Sequence, residues 1–104
     1  MKYAILAILL FISTTVFATT DSLDALMKQN NCYMCHSITK KVVGPAFTEV
    51  AKKYKNNAQA EDILTTKISK GGSGVWGSAP MPSMDVKGTK QQDMRRIVQF
   101  VLKQ

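Results

Sequence analysis

From Met94 onward the chain repeats its apolar residues with a helical period: Met94, Ile97, Val98, Val101 and Leu102 fall at i, i+3, i+4, i+7 and i+8. That spacing builds one apolar stripe on an otherwise polar helix. Thr89, followed three residues later by Gln92, fits a capping box and predicts the start of this helix. Three earlier segments carry the same period. Over residues 22–31, Leu23, Leu26, Met27 and Asn30 occupy i, i+3, i+4 and i+7, with Asp21 as the cap. A second helix is expected to open at Gly44-Pro45, since proline suits the first helical turn, and to run to Tyr54 with Phe47, Val50 and Ala51 on its apolar face. A third is predicted over residues 58–70, entered through Asn56-Asn57 and ended by Gly71-Gly72, with Ile63, Leu64 and Ile68 turned inward. No run alternates with the period of a strand and no internal repeat appears. The pattern predicts a compact all-α domain of four helices.

Two segments stand outside this pattern. Residues 4–12 form an unbroken apolar run after the basic start Met1-Lys2-Tyr3, and the following residues end in a small side chain at Ala18. That order reads as a secretory signal peptide covering residues 1–18, cleaved from a domain of residues 19–104. A membrane span needs about 20 apolar residues, so an uncleaved anchor fits the run less well. The other exception is residues 71–88, rich in Gly, Ser and Pro, which must form a loop. A loop this long inside a small domain is usually functional or disordered, and it holds Trp76, Met81 and Met84, more than a linker needs.

Size and charge sharpen the picture. Removing 18 of 104 residues leaves 86; the segment holds one lysine and no acid, so the net charge falls from +7 to +6. A basic exported domain without a Lys/Arg cluster longer than two points to acidic protein partners rather than nucleic acid. Eighty-six residues make a marginal core that usually leans on a staple. The two cysteines, Cys32 and Cys35, lie too close in sequence for a disulfide between them to constrain much of the unfolded chain.

Those cysteines begin the chain's most specific motif. Cys32-Tyr33-Met34-Cys35-His36 is the C-x-x-C-H pattern of covalent haem attachment. Cysteines three apart share one side of a helical turn, so both sulfurs can add to one macrocycle, and the next residue can bring its imidazole to the iron. A structural zinc site needs four ligands, and two Cys and one His fall short. A thiol–disulfide oxidoreductase working through Cys32 and Cys35 is the main alternative, although the βαβ pattern that accompanies such dithiols is missing. A haem ligand-binding protein with an open sixth position is the other.

His36 is the only histidine, which excludes bis-histidine ligation. A second axial ligand would then be softer, with methionine the usual choice. Met1 lies in the signal segment, Met27 and Met94 lie on apolar helix faces, and Met34 lies within the attachment motif. Met81 and Met84 remain. Pro80 and Pro82 pre-set the backbone around Met81, whereas Met84 lies in a looser Ser-Met-Asp turn, so Met81 is favoured. Trp76 is either a plain core aromatic or an indole donor to a haem propionate.

With these motifs in order — C-x-x-C-H, VVGPAF, GGSGVWG, PMP and a final amphipathic helix — the chain resembles the small bacterial class I cytochromes c of the c-551/c-552 type from Asp21 onward. The resemblance implies a four-helix class I cytochrome c fold around one covalently bound haem c, with His36 and Met81 as axial ligands. It further implies that the Pro45 carbonyl accepts from the His36 ring and that Lys67 and Trp76 contact the propionates. It implies an electron carrier, not an enzyme: a periplasmic, monomeric respiratory-chain component. Its redox partners would be a cytochrome bc complex, a terminal oxidase, a nitrite reductase or a multihaem dehydrogenase, with Lys28, Lys40, Lys41, Lys67 and Lys70 as candidate steering charges. One position departs: where the family commonly has Asn three residues after the ligand Met, this chain has Met84.

Overall fold

A computed structural model describes residues 22–104. The expected signal peptide, residues 1–18, and the expected cap Asp21 lie outside the described residues. Among those described there are five helices, α1 (Leu23–Gln29), α2 (Cys32–Cys35), α3 (Phe47–Tyr54), α4 (Ala60–Lys70) and α5 (Gln91–Leu102), with two isolated backbone bridges and no sheet. None of these helices is long and apolar enough to cross a membrane.

The four expected helices are present, with a fifth single turn at the cysteine motif. Ser22 caps α1, its hydroxyl accepting the Ala25 N–H at 3.2 Å. The helix stops at Gln29, short of the expected Asn31. Asn30 turns both its backbone N–H and its side-chain amide onto the Leu26 carbonyl, and Asn31 takes a left-handed conformation at φ 54°. Asparagine tolerates that region better than most residues. The chain then re-enters a helical turn at Cys32.

Helix α3 begins at Phe47, not at Gly44-Pro45. Ala46 is extended, at φ −60° and ψ 144°, and the N–H groups of Phe47 and Thr48 donate to the carbonyls of Ser37 and Ile38, each at 3.0 Å. Donors that no helix can satisfy at its own start thus tie α3 to the segment after the cysteine motif. The capping box expected at Thr89 does not form. The buried carboxylate of Asp85 instead anchors the two residues leading into α5, accepting the Thr89 N–H at 2.9 Å and the Lys90 N–H at 3.0 Å.

Helix α5 packs against α4, α3 and α1. Leu26, Met27, Phe47, Val50, Leu64, Met94, Ile97, Val98 and Val101 form the buried core. Met27 and Met94, expected in the core, are fully buried. Helix α4 is rotated from its expected register. Ile63 is 42 % exposed, while Thr65 and Ser69 turn inward beside Leu64. The Ser69 carbonyl accepts bonds from the loop that follows, and its hydroxyl accepts the Gln91 amide of α5. Across the outer face, Arg95 pairs with Glu61 at 2.8 Å and Asp62 at 2.9 Å; such exposed pairs add little stability.

Candidate functional site

The cysteine motif, the segment after α4 and the inner faces of α4 and α5 enclose a cavity of about 480 Å³, within the range of small-molecule and cofactor sites. Every site residue singled out in the sequence lines it: Cys32, Cys35, His36, Pro45, Lys67, Trp76 and Met81, together with Met84. The rest of the lining combines core side chains such as Leu64 and Val98 with residues of the loop after α4 such as Val75, Ala79 and Pro80.

The half-buried Cys32 and Cys35 begin and end the single turn α2 and are not joined to each other. Burial pushes the Cys32 thiol above its ordinary range, with a smaller opposing pull from a backbone N–H. A dithiol catalyst needs the opposite shift. His36 terminates α2 in an extended conformation, its N–H held by the Cys32 carbonyl at 3.0 Å. Its ring Nδ1 lies 2.8 Å from the Pro45 carbonyl oxygen. A carbonyl has no proton to give, so Nδ1–H donates and Nε2 is the ring nitrogen left to face a metal.

Three neighbours hold that ring. The Pro45 carbonyl sets its rotation, Phe47 stacks at 5.2 Å between centroids and 22° between planes, and Gly44 forms the seat. A Cβ at Gly44 would stand 2.8 Å from Nδ1 and 2.9 Å from Nε2, so no larger residue fits without displacing something. Gly44 is itself anchored by its N–H to the Cys35 carbonyl at 2.7 Å. Its role was legible only as the glycine before Pro45, because the ring it accommodates lies eight residues away.

Met81 is fixed through its backbone. It exchanges two hydrogen bonds with Gly72, both 2.9 Å, which fold the loop back onto the end of α4. Gly71 permits this approach: it sits at φ 73°, and a Cβ there would meet the Met81 carbonyl oxygen at 2.5 Å and the Ser83 nitrogen at 2.8 Å. The turn bearing Met84 is tighter than its composition implies. Met84 N–H donates to the Ile68 carbonyl at 3.0 Å, Asp85 N–H donates to the Ser69 carbonyl at 3.2 Å, and the Ser83 hydroxyl also donates to the Ser69 carbonyl. The two thioethers differ in packing. Met84 packs against the core cluster, whereas Met81 lines the cavity without joining that cluster.

Trp76 is 39 % exposed and so is not a plain core aromatic. The Lys53 ammonium sits 5.6 Å from its ring centroid, a cation–π partner that nothing local in sequence announced. Lys67, in the last turn of α4, lines the cavity with its ammonium beside Gly72. Lys40 and Lys41 are exposed next to Val42 and Val43, which are 54 % and 52 % exposed, and Lys28 is paired with Asp24 at 2.8 Å.

The donor set fits an iron macrocycle: two thiols on one turn, one imidazole oriented by a carbonyl, and thioethers, all on an apolar-lined cavity. Comparison with known proteins agrees. A family profile described as Cytochrome c matches residues 24–104. The chain is 46% identical over 79 residues to cytochrome c-552 of Hydrogenobacter thermophilus, covering 76% of this chain and 78% of that protein. It is 40% identical over 79 residues to cytochrome c-551 of Azotobacter vinelandii, covering 76% of this chain and 93% of the relative. The crystal structure of wild-type Nitrosomonas europaea cytochrome c552 superposes with a TM-score of 0.70 at 39% identity, covering 77% of this chain and 96% of that one.

Proposed function

The chain belongs to the cytochrome c family, small electron carriers that hold one haem c through a Cys-x-x-Cys pair, and we propose that it works in the periplasm as a soluble carrier between respiratory redox proteins. The observation that carries this reading is the convergence of Cys32, Cys35, His36 and Met81 on one apolar-lined cavity. Cys32 and Cys35 would hold the haem through two thioether bonds, and His36 Nε2 and the Met81 sulfur would ligate its iron. The bound haem supplies a ferrous–ferric couple.

The protein's own residues set the conditions for that couple. The Pro45 carbonyl fixes the His36 ring and raises its basicity. Thioether ligation favours the ferrous state and so a high potential. The side chains of α4 and α5 that line the cavity exclude water, which disfavours the more highly charged ferric form. With His36 and Met81 both engaged, no coordination position is left for a substrate. Lys67 and Trp76 contact the propionates.

Lys40 and Lys41, beside the exposed Val42 and Val43, steer acidic partners and support fast, weak encounters. The candidate partners are a cytochrome bc complex, a terminal oxidase, a nitrite reductase or a multihaem dehydrogenase. Residues 1–18 direct export and are removed, and the mature chain works as a monomer.

Methionine variants of the ferric protein test the assignment. The iron–sulfur charge-transfer band at long wavelength reports the thioether bond. Met81→Ala is expected to abolish or strongly weaken it, lower the potential and open the iron to cyanide, while Met84→Ala leaves it in place. A full-strength band in Met81→Ala that is lost in Met84→Ala would move the ligand by three residues. A high-spin ferric wild type that binds cyanide or carbon monoxide readily would instead mean an open sixth position.

A further inference from the structure

We propose that Asp85 is a positioning residue for the sixth ligand: together with Ser69 and Gln91 it latches the loop bearing Met81 onto the end of α4 and the start of α5. The inference rests on the reading of Met81 as an axial ligand. Asp85 itself lies outside the cavity lining and acts only through the backbone that carries the thioether.

The latch is a closed set of hydrogen bonds around two buried residues, Asp85 and Ser69. Asp85 and Ser69 are 7 % and 5 % exposed. A buried carboxylate is costly unless its oxygens are partnered, and here both are. Oδ1 accepts the Thr89 N–H at 2.9 Å; Oδ2 accepts the Lys90 N–H at 3.0 Å and the Gln91 side-chain amide at 2.7 Å. The same Gln91 amide donates to the Ser69 hydroxyl at 2.9 Å. The Ser69 carbonyl takes the Asp85 N–H and the Ser83 hydroxyl. One carboxylate thereby joins the last turn of α4, the 83–85 turn and the first turn of α5.

The consequence for Met81 follows from what else holds it. Between Gly72 and Met81 the chain is exposed and built of turns, and its ends are fixed by the Gly72–Met81 pair and by the 83–85 turn. Opening the latch leaves the loop that carries the thioether tied to α4 by the Gly72 pair and the Met84–Ile68 bond only. Local openings of this kind occur far more often than global unfolding and respond to local bonds. Asp85 therefore controls how often the Met81 sulfur leaves the iron, without touching the iron.

The test is the rate of cyanide binding to the ferric, haem-loaded protein, since cyanide enters only when the thioether departs. Asp85→Ala is expected to bind cyanide about tenfold faster than wild type or more, as befits loss of charge-assisted bonds. Amide exchange at Gly72 and Met81 should quicken with it. Leu26→Ala is the control. It empties a core position in α1 that is 4 % exposed and outside the cavity lining, so it lowers global stability while leaving the latch intact.

An Asp85→Ala rate less than about threefold above that of Leu26→Ala would overturn the proposal, because global destabilisation would then account for it. If Asp85→Ala does not fold, Gln91→Ala decides by the same criterion, since it cuts the link to Ser69 and spares the Thr89 and Lys90 bonds. Absence of the charge-transfer band in wild type would sink the Met81 reading instead. Exchange at Gly72 and Met81 would still decide the latch.

Discussion

Gly44→Ala offers a sharp test of how the imidazole is held, because one methyl group meets three constraints at once. The added Cβ would lie 2.8 Å from Nδ1 and 2.9 Å from Nε2 of His36, against 3.4–4 Å for an ordinary contact. The ring Cε1 would lie closer still, so relief requires a movement of more than about 0.6 Å, an overpacking strain of the kind that costs about 1–3 kcal/mol. The ring cannot retreat freely, since Phe47 stacks on it at 5.2 Å. Gly44 cannot retreat freely either, since its N–H is bonded to the Cys35 carbonyl at 2.7 Å. Rotation of the ring would break the 2.8 Å bond to the Pro45 carbonyl, a further loss of about 0.5–1.5 kcal/mol. The expected total is about 2–4 kcal/mol, which for a domain of this size lowers Tm by about 8 °C or more. Urea unfolding of the haem-loaded protein, analysed by linear extrapolation, measures the loss, and the visible and NMR spectra report the altered histidine. A variant within about 0.5 kcal/mol of wild type, inside the range of a neutral surface change, and with unaltered spectra would show that the seat is compliant. The steric argument would then be wrong.

Three further outcomes are expected. Cys32→Ala with Cys35→Ala should yield a protein with weakly bound haem or none and with reduced helicity by circular dichroism; a cooperative apo transition near the wild-type temperature would refute the view that haem completes the core. Asp85 gives the stability an acid limb: desolvation raises its pKa, but bonds from Gln91, Lys90, Thr89 and Gly88 outweigh that and hold it below the ordinary value. Its contribution is therefore full above the unfolded carboxylate value of about 3.9 and is lost as pH falls through the lower folded value; urea titrations between pH 6 and pH 2 should show that limb in wild type and not in Asp85→Asn. Electron transfer to an acidic partner should slow with added salt, since steering is screened over about 8 Å at 0.15 M, and Lys40→Glu with Lys41→Glu should cut the on-rate more than the stability; stopped-flow rates indifferent to salt would point to apolar docking.

Much of the candidate site was legible because its signals are local. Cys32, Cys35 and His36 are adjacent in sequence, so one turn presents them together whatever surrounds it. The period of Met94, Ile97, Val98 and Val101 identified the buried face of α5, since a 3.6-residue repeat already defines a face. Met81 between two prolines stood out for the same reason. The departures arose where a residue's partner is remote. Ile63 belongs to the same run of apolar residues as Leu64 and Ile68, yet it faces out while Leu64, Thr65 and Ser69 turn inward. The Ser83-Met84-Asp85 turn looked loose by composition and is bound to Ile68 and Ser69.

The sequence by itself thus determined the helical class, the apolar face of α5 and the haem-attachment motif, because each depends on spacing along a few turns. Tertiary structure alone decided how those parts are held. The Nδ1–H of His36 finds the Pro45 carbonyl and Gly44 makes room for the ring, while Asp85 anchors the residues that lead into α5. Each depends on a donor, an acceptor or a free volume that exists only after distant segments have packed, and buried polar groups must find such partners wherever the fold provides them.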